Sequence, residues 1–174
     1  MSRPAEACVI VNDASCLIDV RKGGLLAAMM ALPYRFVVPL PVRESELLDF
    51  TAEDWRRLDA AGMETFDLPP DRVAEAFAVK AAYPKLSAND CFCLVTTQCH
   101  ADAVLLTGDG LLRKVAAGTG LPVHGVLWLA DRLRAERTCA AELLIAALEI
   151  WKADRAVFLP EAEIDRLLHL LRRP

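Results

Sequence analysis

The sequence predicts an α/β protein in which an open parallel sheet is flanked by helices on both faces and followed by a C-terminal helical tail. Three observations lead to this fold class. Short apolar runs of strand length alternate with segments of helical spacing, Gly and Pro residues separate the two kinds of segment, and the residues from about Thr138 onwards have helical patterns only. Such alternation favours parallel strands joined by crossover helices. Strands that are buried on both faces have continuous apolar sequences, and the short apolar runs of this chain have that character.

The first half of the chain contains three of the predicted strands. Residues 7–12 (ACVIVN) form the first strand, and Asp13 then opens a helical pattern that continues through CLIDVRKGGLLAAMMA. Residues 36–38 form the second strand, which ends because proline interrupts the ladder. The segment VRESELLDF and a further segment that begins near Thr51 have helical spacing. Residues 63–68 predict a weaker third strand.

The second half repeats the alternation as far as residue 137. A helix is predicted from Pro70 to about Ala82, because proline is accepted in a first helical turn. The other predicted elements are a helix beginning at Ser87, a strand at 103–106, a helix ending at Gly118 or Gly120, a strand at 122–126 and a helix at 127–137. We therefore divide the chain into a domain at 1–137 and a helical extension at 138–174, whose last helix starts at the signal PEAE. We expect this extension to pack on the domain or on a dimer mate.

Composition and charge exclude several classes of protein. The 174 residues are 55% hydrophobic, which excludes a disordered chain, and a formal net charge of −4 argues against binding of nucleic acid by the whole surface. No apolar stretch resembles a secretory leader or reaches the roughly 18 residues of a membrane span. The six cysteines lie within apolar runs, as reduced, buried thiols do. We expect a soluble, cytoplasmic protein that does not associate with a membrane.

Acidic residues lie close to the carboxyl ends of the predicted strands. Asp13 follows the first strand, Glu46 lies in the helix after the second, and Asp109 follows the fourth. Asp90 lies at the start of the helix that leads into the fourth strand. Taken singly, each acid has a structural explanation as a helix cap, a turn residue or a solvated helix position, and Ser87 with Asp90 matches a capping box. Ligands of open α/β sheets bind beyond the carboxyl ends of the strands, so the four acids together predict a site there.

A cluster of carboxylates needs a cation to stay ionised, because like charges repel. Oxygen ligands favour hard divalent ions such as Mg²⁺ or Mn²⁺, which proteins commonly share with substrate phosphate. One or two such ions support phosphodiester hydrolysis, because they lower the pKa of the attacking water and neutralise charge on the phosphoryl oxygens. The four acids therefore predict metal-dependent hydrolysis of a phosphodiester.

Four segments follow one another along the chain: VIVNDAS, VVPLPVRESELL, LSANDCFCLVTTQCHADAVLLTGDGLLRKVA and GLPVHGVLWLADRL. Their order resembles the PIN domain of metal-dependent ribonucleases, which include VapC-type toxins of toxin-antitoxin pairs. The resemblance covers about residues 7–135, and the tail is similar to the C-terminal extension of a PIN subfamily. By position, it implies that the catalytic acids and metal ligands are Asp13, Glu46, Asp90 and Asp109, and that Ser15 and Thr107 are the hydroxyl residues that support them.

The second of these acids has two candidates. Glu46 is followed by Leu47 and Leu48, which fits the family's acid-then-apolar context, whereas a register set from Val42 favours Glu44 or even Ser45. The two glutamates are two positions apart, about 200° around a helix, so both cannot face the same site.

The same resemblance implies a single-stranded or structured RNA substrate, Mg²⁺ or Mn²⁺ as cofactor and a 5′-phosphate product. It also implies a homodimer and, for a toxin, an antitoxin protein as partner. Basic residues are spread over several segments, and Arg113 and Lys114, in the helix after Asp109, are the candidates for steering RNA into the site.

Two alternative functions follow from other features of the sequence. A PIN-like module that binds RNA or a protein, with weak or no hydrolysis, is favoured by the uncertain second acid. A zinc site at Cys91, Cys93, Cys99 and His100 is not favoured, because residues 91 and 93 point about 200° apart on a helix and the chain has no C-x₂-C pair.

Overall fold

The computed structural model describes residues 7–173. Helices separate every pair of successive strands, and the last two helices form the extension. In chain order the elements are β1 (Val9–Asn12), α1 (Ala14–Lys22), α2 (Leu26–Met30), β2 (Arg35–Pro39), α3 (Leu40–Ser45), α4 (Ala52–Ala60), β3 (Glu64–Phe66), α5 (Pro70–Ala82), α6 (Ala88–Gln98), β4 (Val104–Leu106), α7 (Gly110–Gly118), β5 (Val123–His124), α8 (Val126–Glu136), α9 (Ala141–Ala153) and α10 (Glu161–Arg172).

The strands of residues 7–173 form one five-stranded parallel sheet with the order β3-β2-β1-β4-β5. Strand β1 is central, and Ile10 pairs with Phe36 of β2 on one side and with Val104 of β4 on the other. All four residues of β1 are buried, as expected for a central parallel strand. Because every strand runs in the same direction, their carboxyl ends share one edge of the sheet. This carboxyl edge consists of Asn12, Pro39, Phe66, Leu106 and His124. The predicted α/β fold class, with helices flanking the sheet, is confirmed.

The helix predicted after Asp13 is two helices in the structure. Helices α1 and α2 are separated at Gly23 and Gly24, and Gly24 has a φ of +69°. This left-handed backbone conformation favours glycine, which explains why the helix ends there. The apolar pattern that continues across the break led the sequence prediction to join the two helices.

The helix predicted over VRESELLDF ends earlier than expected. It stops at Ser45, so Glu46 is the C-cap residue of α3, and its predicted position within a helix is wrong. The backbone N–H groups of Glu46 and Leu47 both donate to the Val42 carbonyl, which closes the helix. Leu47 is buried at 2% exposure, and the chain turns to place it in the core. The last predicted strand is also shorter, since only Val123–His124 pairs with β4.

The C-terminal extension packs against the sheet-bearing part of the chain. Helix α9 contacts α1 and α8, and α10 contacts α8 and α9. Trp151 of α9 is buried, and its indole Nε1 donates a hydrogen bond of 2.7 Å to the backbone carbonyl of Asp19 in α1. A Cβ atom at Gly23 would lie 2.9 Å from Cβ of Ala147 and 3.2 Å from the Trp151 ring, so glycine permits the close approach of α9. The two predicted ranges, 1–137 and 138–174, extend beyond the described residues at both ends of the chain. Residues 1–6 and 174 lie outside the described part.

One cluster of buried apolar side chains runs from the sheet into the extension. It joins Val11 and Leu105 of the central strands to Leu129 of α8, and it continues to Leu148 and Leu167 of the last two helices. The six cysteines are free thiols, three of them buried. Over residues 7–173, the structure contains no helix with the length and apolar character needed to cross a membrane.

Candidate active site

Asp13 is a buried carboxylate at the carboxyl end of the central strand. It is only 4% exposed, and it caps α1 by accepting a hydrogen bond of 2.8 Å from the backbone N–H of Ala14. Its other oxygen, Oδ2, accepts hydrogen bonds from the hydroxyl groups of Ser15, at 2.8 Å, and Thr107, at 2.7 Å. A buried carboxylate needs such donors, because an unpaired charge out of water is strongly unfavourable. The predicted capping role of Asp13 is therefore real, and it coexists with a fixed position at the sheet edge.

Two hydroxyl groups connect Asp13 to the loop after β4. The Ser15 hydroxyl accepts a hydrogen bond of 2.9 Å from the backbone N–H of Gly108, and the Thr107 hydroxyl accepts one of 3.0 Å from the backbone N–H of Asp109. Each hydroxyl thus donates to the carboxylate and accepts from the neighbouring loop. The side chain of Asp109 caps α7 by accepting a 2.7 Å bond from the N–H of Leu112. The loops that follow β1 and β4 are consequently held in register at the carboxyl edge.

Asp90 occupies the first turn of α6, as the sequence predicts. Ser87 and Asp90 form a capping box: the Ser87 hydroxyl accepts from the N–H of Asp90, at 3.0 Å, and Oδ2 of Asp90 accepts from the N–H of Ser87, at 2.7 Å. The predicted capping box is confirmed. Capping uses only one carboxylate oxygen, and Oδ1 of Asp90 accepts no hydrogen bond from any residue in the described range.

Glu46 reaches the same region from the end of α3. The amide of Asn89, in the first turn of α6, donates a 2.8 Å hydrogen bond to the hydroxyl of Ser45, which ties the end of α3 to the start of α6. Glu46 is therefore held beside Asp90. Glu44 is exposed, whereas Glu46 is partly buried. The sequence did not indicate the link between Ser45 and Asn89, because these residues are far apart in the chain and neither is distinctive.

The charges of the four acids act on one another. Burial raises the pKa of Glu46; the nearby Asn89 amide opposes this shift, while the negative charges of Asp13 and Asp90 add to it. Burial likewise raises the pKa of Asp90; the capping bonds to Ser87 oppose the shift, and the charges of Asp13 and Asp109 reinforce it. The four carboxyl groups thus form one electrostatically coupled acidic cluster at the carboxyl edge.

The donor set of this acidic cluster fits a hard divalent ion. Its ligating atoms are carboxylate oxygens, and Oδ1 of Asp90 and Oδ2 of Asp109 have no hydrogen-bond donor among the described residues. A cation placed among the four groups would offset the repulsion between their charges, which adds to burial in raising the pKa values of Glu46 and Asp90. However, no three His, Cys, Asp or Glu side chains in residues 7–173 have the arrangement of a preformed metal site.

A thiol lies next to the acidic cluster. The Sγ atom of Cys93, one turn after Asp90 on α6, is 3.9 Å from Oδ1 of Asp13, and burial together with the charge of Asp13 raises the pKa of this thiol. The sequence prediction treated Cys93 as a packing residue only and did not place it beside an acid. Arg113 and Lys114 are both exposed on α7.

The fold is an α/β domain in which acidic side chains lie near the carboxyl edge of a parallel sheet. A family model described as PIN domain matches residues 9–173, so the chain belongs to the PIN domain family, whose members are generally nucleases. The match includes α9 and α10 as well as the sheet. The search of curated proteins gives no match.

Proposed function

We propose that this protein is a divalent-metal-dependent endoribonuclease that hydrolyses RNA phosphodiester bonds. The observation that carries the proposal is the acidic cluster: a buried Asp13, fixed by two hydroxyl groups, lies within electrostatic reach of two further acids, Glu46 and Asp90, and Asp90 in turn feels the charge of Asp109. Membership of the PIN domain family supports a nuclease activity for this cluster.

Each residue of the cluster has a distinct part in the proposed reaction. The ion, Mg²⁺ or Mn²⁺, would be held by Asp13, Asp90 and Asp109, with Glu46 as the fourth acid. Such an ion supplies Lewis acidity that lowers the pKa of the attacking water and neutralises charge on the phosphoryl oxygens. Ser15 and Thr107 keep the Asp13 carboxylate in one orientation, as residues behind metal ligands commonly do.

RNA is the proposed substrate, and local positive charge attracts it. The protein has a formal net charge of −4, so attraction of a polyanion depends on basic residues near the site rather than on the whole surface. Arg113 and Lys114 are exposed on the helix that Asp109 caps, close to the cluster. Binding should therefore weaken as the salt concentration rises.

The experiment that tests the proposal compares Asp13→Asn and Asp90→Asn with the wild-type protein in Mn²⁺-dependent cleavage of single-stranded RNA. Both variants should lose cleavage, because the amide removes the charge that a metal requires, while thermal unfolding shows that the fold persists. Asp102→Asn is the matched control, because Asp102 is exposed at the amino end of β4, opposite the carboxyl edge. This variant should cleave RNA as the wild type does. Wild-type cleavage by both site variants would contradict the proposal.

A second measurement separates an enzyme from a binding module. RNA is incubated with the wild-type protein in the presence of Mn²⁺ or of EDTA, and both complexes and products are measured. The proposal expects products with Mn²⁺ and intact, bound RNA with EDTA. Bound RNA without products under both conditions would favour a PIN-like module that binds RNA without hydrolysing it.

We further propose that the protein acts as the toxin of a toxin-antitoxin pair, in the cytoplasm and as a homodimer. Expression of the wild-type chain in a bacterial host should then stop growth, and expression of Asp13→Asn should not. Co-expression of a small protein from a neighbouring gene should restore growth and co-purify with the chain. Light scattering of the purified protein measures the oligomeric state directly.

A further inference from the structure

A stack of three aromatic rings lies on the α8 side of the sheet. The imidazole of His124 and the indole of Trp128 are parallel, with ring centroids 4.5 Å apart and an angle of 6° between the ring planes. Trp128 also stacks with Tyr34, at 6.1 Å and 27°. All three side chains are partly exposed. The rings therefore form a continuous stack that remains partly accessible to solvent.

Arg113 lies beside Gly125, next to His124, and a backbone hydrogen bond connects this end of the stack to the acidic cluster. A Cβ atom at Gly125 would lie 2.7 Å from Nη1 of Arg113, so the glycine between His124 and α8 leaves room for the guanidinium group. The backbone carbonyl of His124 accepts a 2.9 Å hydrogen bond from the N–H of Thr107, whose hydroxyl group holds Asp13. The stack thus begins one hydrogen bond away from the residue that supports the buried acid.

A second arginine extends the feature along α8. Arg132 is four residues after Trp128, which places both on the same face of the helix one turn apart. Within residues 7–173, neither Arg113 nor Arg132 forms an ion pair, whereas Arg134 on the same helix pairs with Asp131 at 2.9 Å. We call Arg113, His124, Trp128, Tyr34 and Arg132 the aromatic-basic strip.

We propose that the aromatic-basic strip binds a single-stranded segment of the RNA substrate next to the scissile phosphodiester. This inference rests on the proposed nuclease function. Bases stack on aromatic rings without regard to sequence, and cations along the same path pair with the phosphates, which is the general design of single-strand binding surfaces. The aromatic rings, together with two arginines that form no ion pair with any residue of the range 7–173, supply both elements beside a cluster of acids. A duplex gains less from the rings, because its bases already stack on one another.

Fluorescence anisotropy of a labelled single-stranded RNA of about ten nucleotides, measured in EDTA so that no cleavage occurs, tests the proposal. His124→Ala should weaken binding by about ten-fold, since stacking of one base contributes on that scale. Trp128→Leu should also weaken binding, because it removes the ring against which His124 stacks. Binding of a duplex with the same sequence should change little. Arg132→Gln should weaken binding of both RNAs and lower its salt dependence. Arg134→Gln is the matched control and should bind as the wild type does.

Trp128 also packs against the core, so loss of binding in the Trp128 variant could result from misfolding. A second measurement therefore uses a protein that retains Trp128. In a Trp55→Phe background, single-stranded RNA should quench the tryptophan fluorescence, because the remaining Trp151 is buried and Trp128 is accessible. Wild-type affinity for single-stranded RNA in a folded His124→Ala variant, together with no quenching, would overturn the proposal. If the wild-type protein cleaves RNA but the strip variants bind RNA normally, the aromatic-basic strip is not the binding surface and the nuclease function stands. If RNA binding depends on the strip but no metal-dependent cleavage occurs, the binding surface stands and the nuclease function is refuted.

Discussion

The acidic cluster at the carboxyl edge and the interface between α1 and α9 are held together by different forces. At the cluster, a buried carboxylate accepts hydrogen bonds from Ser15 and Thr107, and burial, reinforced by like charges, raises the pKa values of Glu46 and Asp90. At the α1–α9 interface, apolar side chains pack around Gly23, and Trp151 adds one hydrogen bond to a backbone carbonyl.

This difference separates stability from activity. Burial of apolar area is the main stabilising contribution to a fold, whereas gathered carboxylates oppose folding unless donors or a cation offset their repulsion. We therefore expect substitutions at the interface to change the free energy of unfolding, and substitutions at the cluster to change metal binding and cleavage more than they change stability.

The largest expected effect on stability is that of Trp151→Ala. The side chain is 1% exposed and its indole donates to the Asp19 carbonyl, so the substitution creates a cavity and removes one of the two N–H groups that donate to that carbonyl. The backbone N–H of Gly23 is the other donor, at 3.0 Å. The free energy of unfolding should fall by about 3–5 kcal/mol, measured by urea denaturation. Lys152→Ala, next in sequence, is the control: its ion pair with Asp165 is exposed, and its removal should leave the free energy of unfolding almost unchanged. Equal effects of the two substitutions would mean that the interface is not a stabilising core.

Thr107→Val tests whether one residue of the acidic cluster contributes both to stability and to metal binding. Thr107 is fully buried, and valine keeps its shape but cannot donate to Asp13. Unfolding free energy should fall by about 1–3 kcal/mol, because a buried carboxylate loses a donor. Mn²⁺ affinity, measured by calorimetry, should fall by about 10–100-fold, as for other residues that orient a metal ligand.

Thr119→Val is the control for that substitution. The Thr119 hydroxyl donates only to the Ala116 carbonyl, at the far end of α7, and its loss should leave Mn²⁺ affinity unchanged. If Thr107→Val retained wild-type Mn²⁺ affinity while losing stability, the role of Thr107 at the metal site would be refuted and only its structural role would remain.

The sequence predicts the parts of the molecule that depend on local chemistry. Residues 9–12, the central strand, are all apolar except for the final asparagine, and the capping box of Ser87 and Asp90 is specified within four residues. Periodicity failed where tertiary packing decides the outcome: the α3 helix ends at Ser45 because Leu47 enters the core. The break between α1 and α2 was missed for a related reason, since the apolar pattern continues through the glycines that separate them.

Contacts between distant segments were beyond the sequence prediction. The hydrogen bond from Asn89 to Ser45, which holds Glu46 beside Asp90, joins residues with no local pattern in common. The position of Cys93 beside Asp13 likewise depends on how α6 crosses β1. Pattern reasoning gives the edge at which a site forms, and the crossing of helices determines which side chains meet there.

The smallest expected effect concerns a charge at the α1–α9 interface. Burial raises the pKa of Asp19 from 3.8 to about 6; the positive charge of Lys22 opposes the shift, and the negative charge of Asp154 adds to it. Because the folded pKa lies above the unfolded value, protonated Asp19 favours the folded state. That contribution is complete below about pH 4 and is lost as the pH rises through about 6. Asp19→Asn should therefore be more stable than the wild type at pH 7 to 8, by about 1 kcal/mol after allowance for the solvent exposure of the side chain.

Asp154→Asn supplies a control of opposite sign for Asp19→Asn. Hydrogen bonds from Lys22 and from the backbone N–H of Ala156 hold the pKa of Asp154 below its usual value, so its ionised form favours the folded state above about pH 4. This variant should be slightly less stable than the wild type at neutral pH. Urea denaturation of the three proteins between pH 3.5 and 8 measures both effects. If Asp19→Asn had no advantage at pH 8, the Asp19 carboxylate would be solvated at the interface, and apolar packing alone would determine how α9 binds α1.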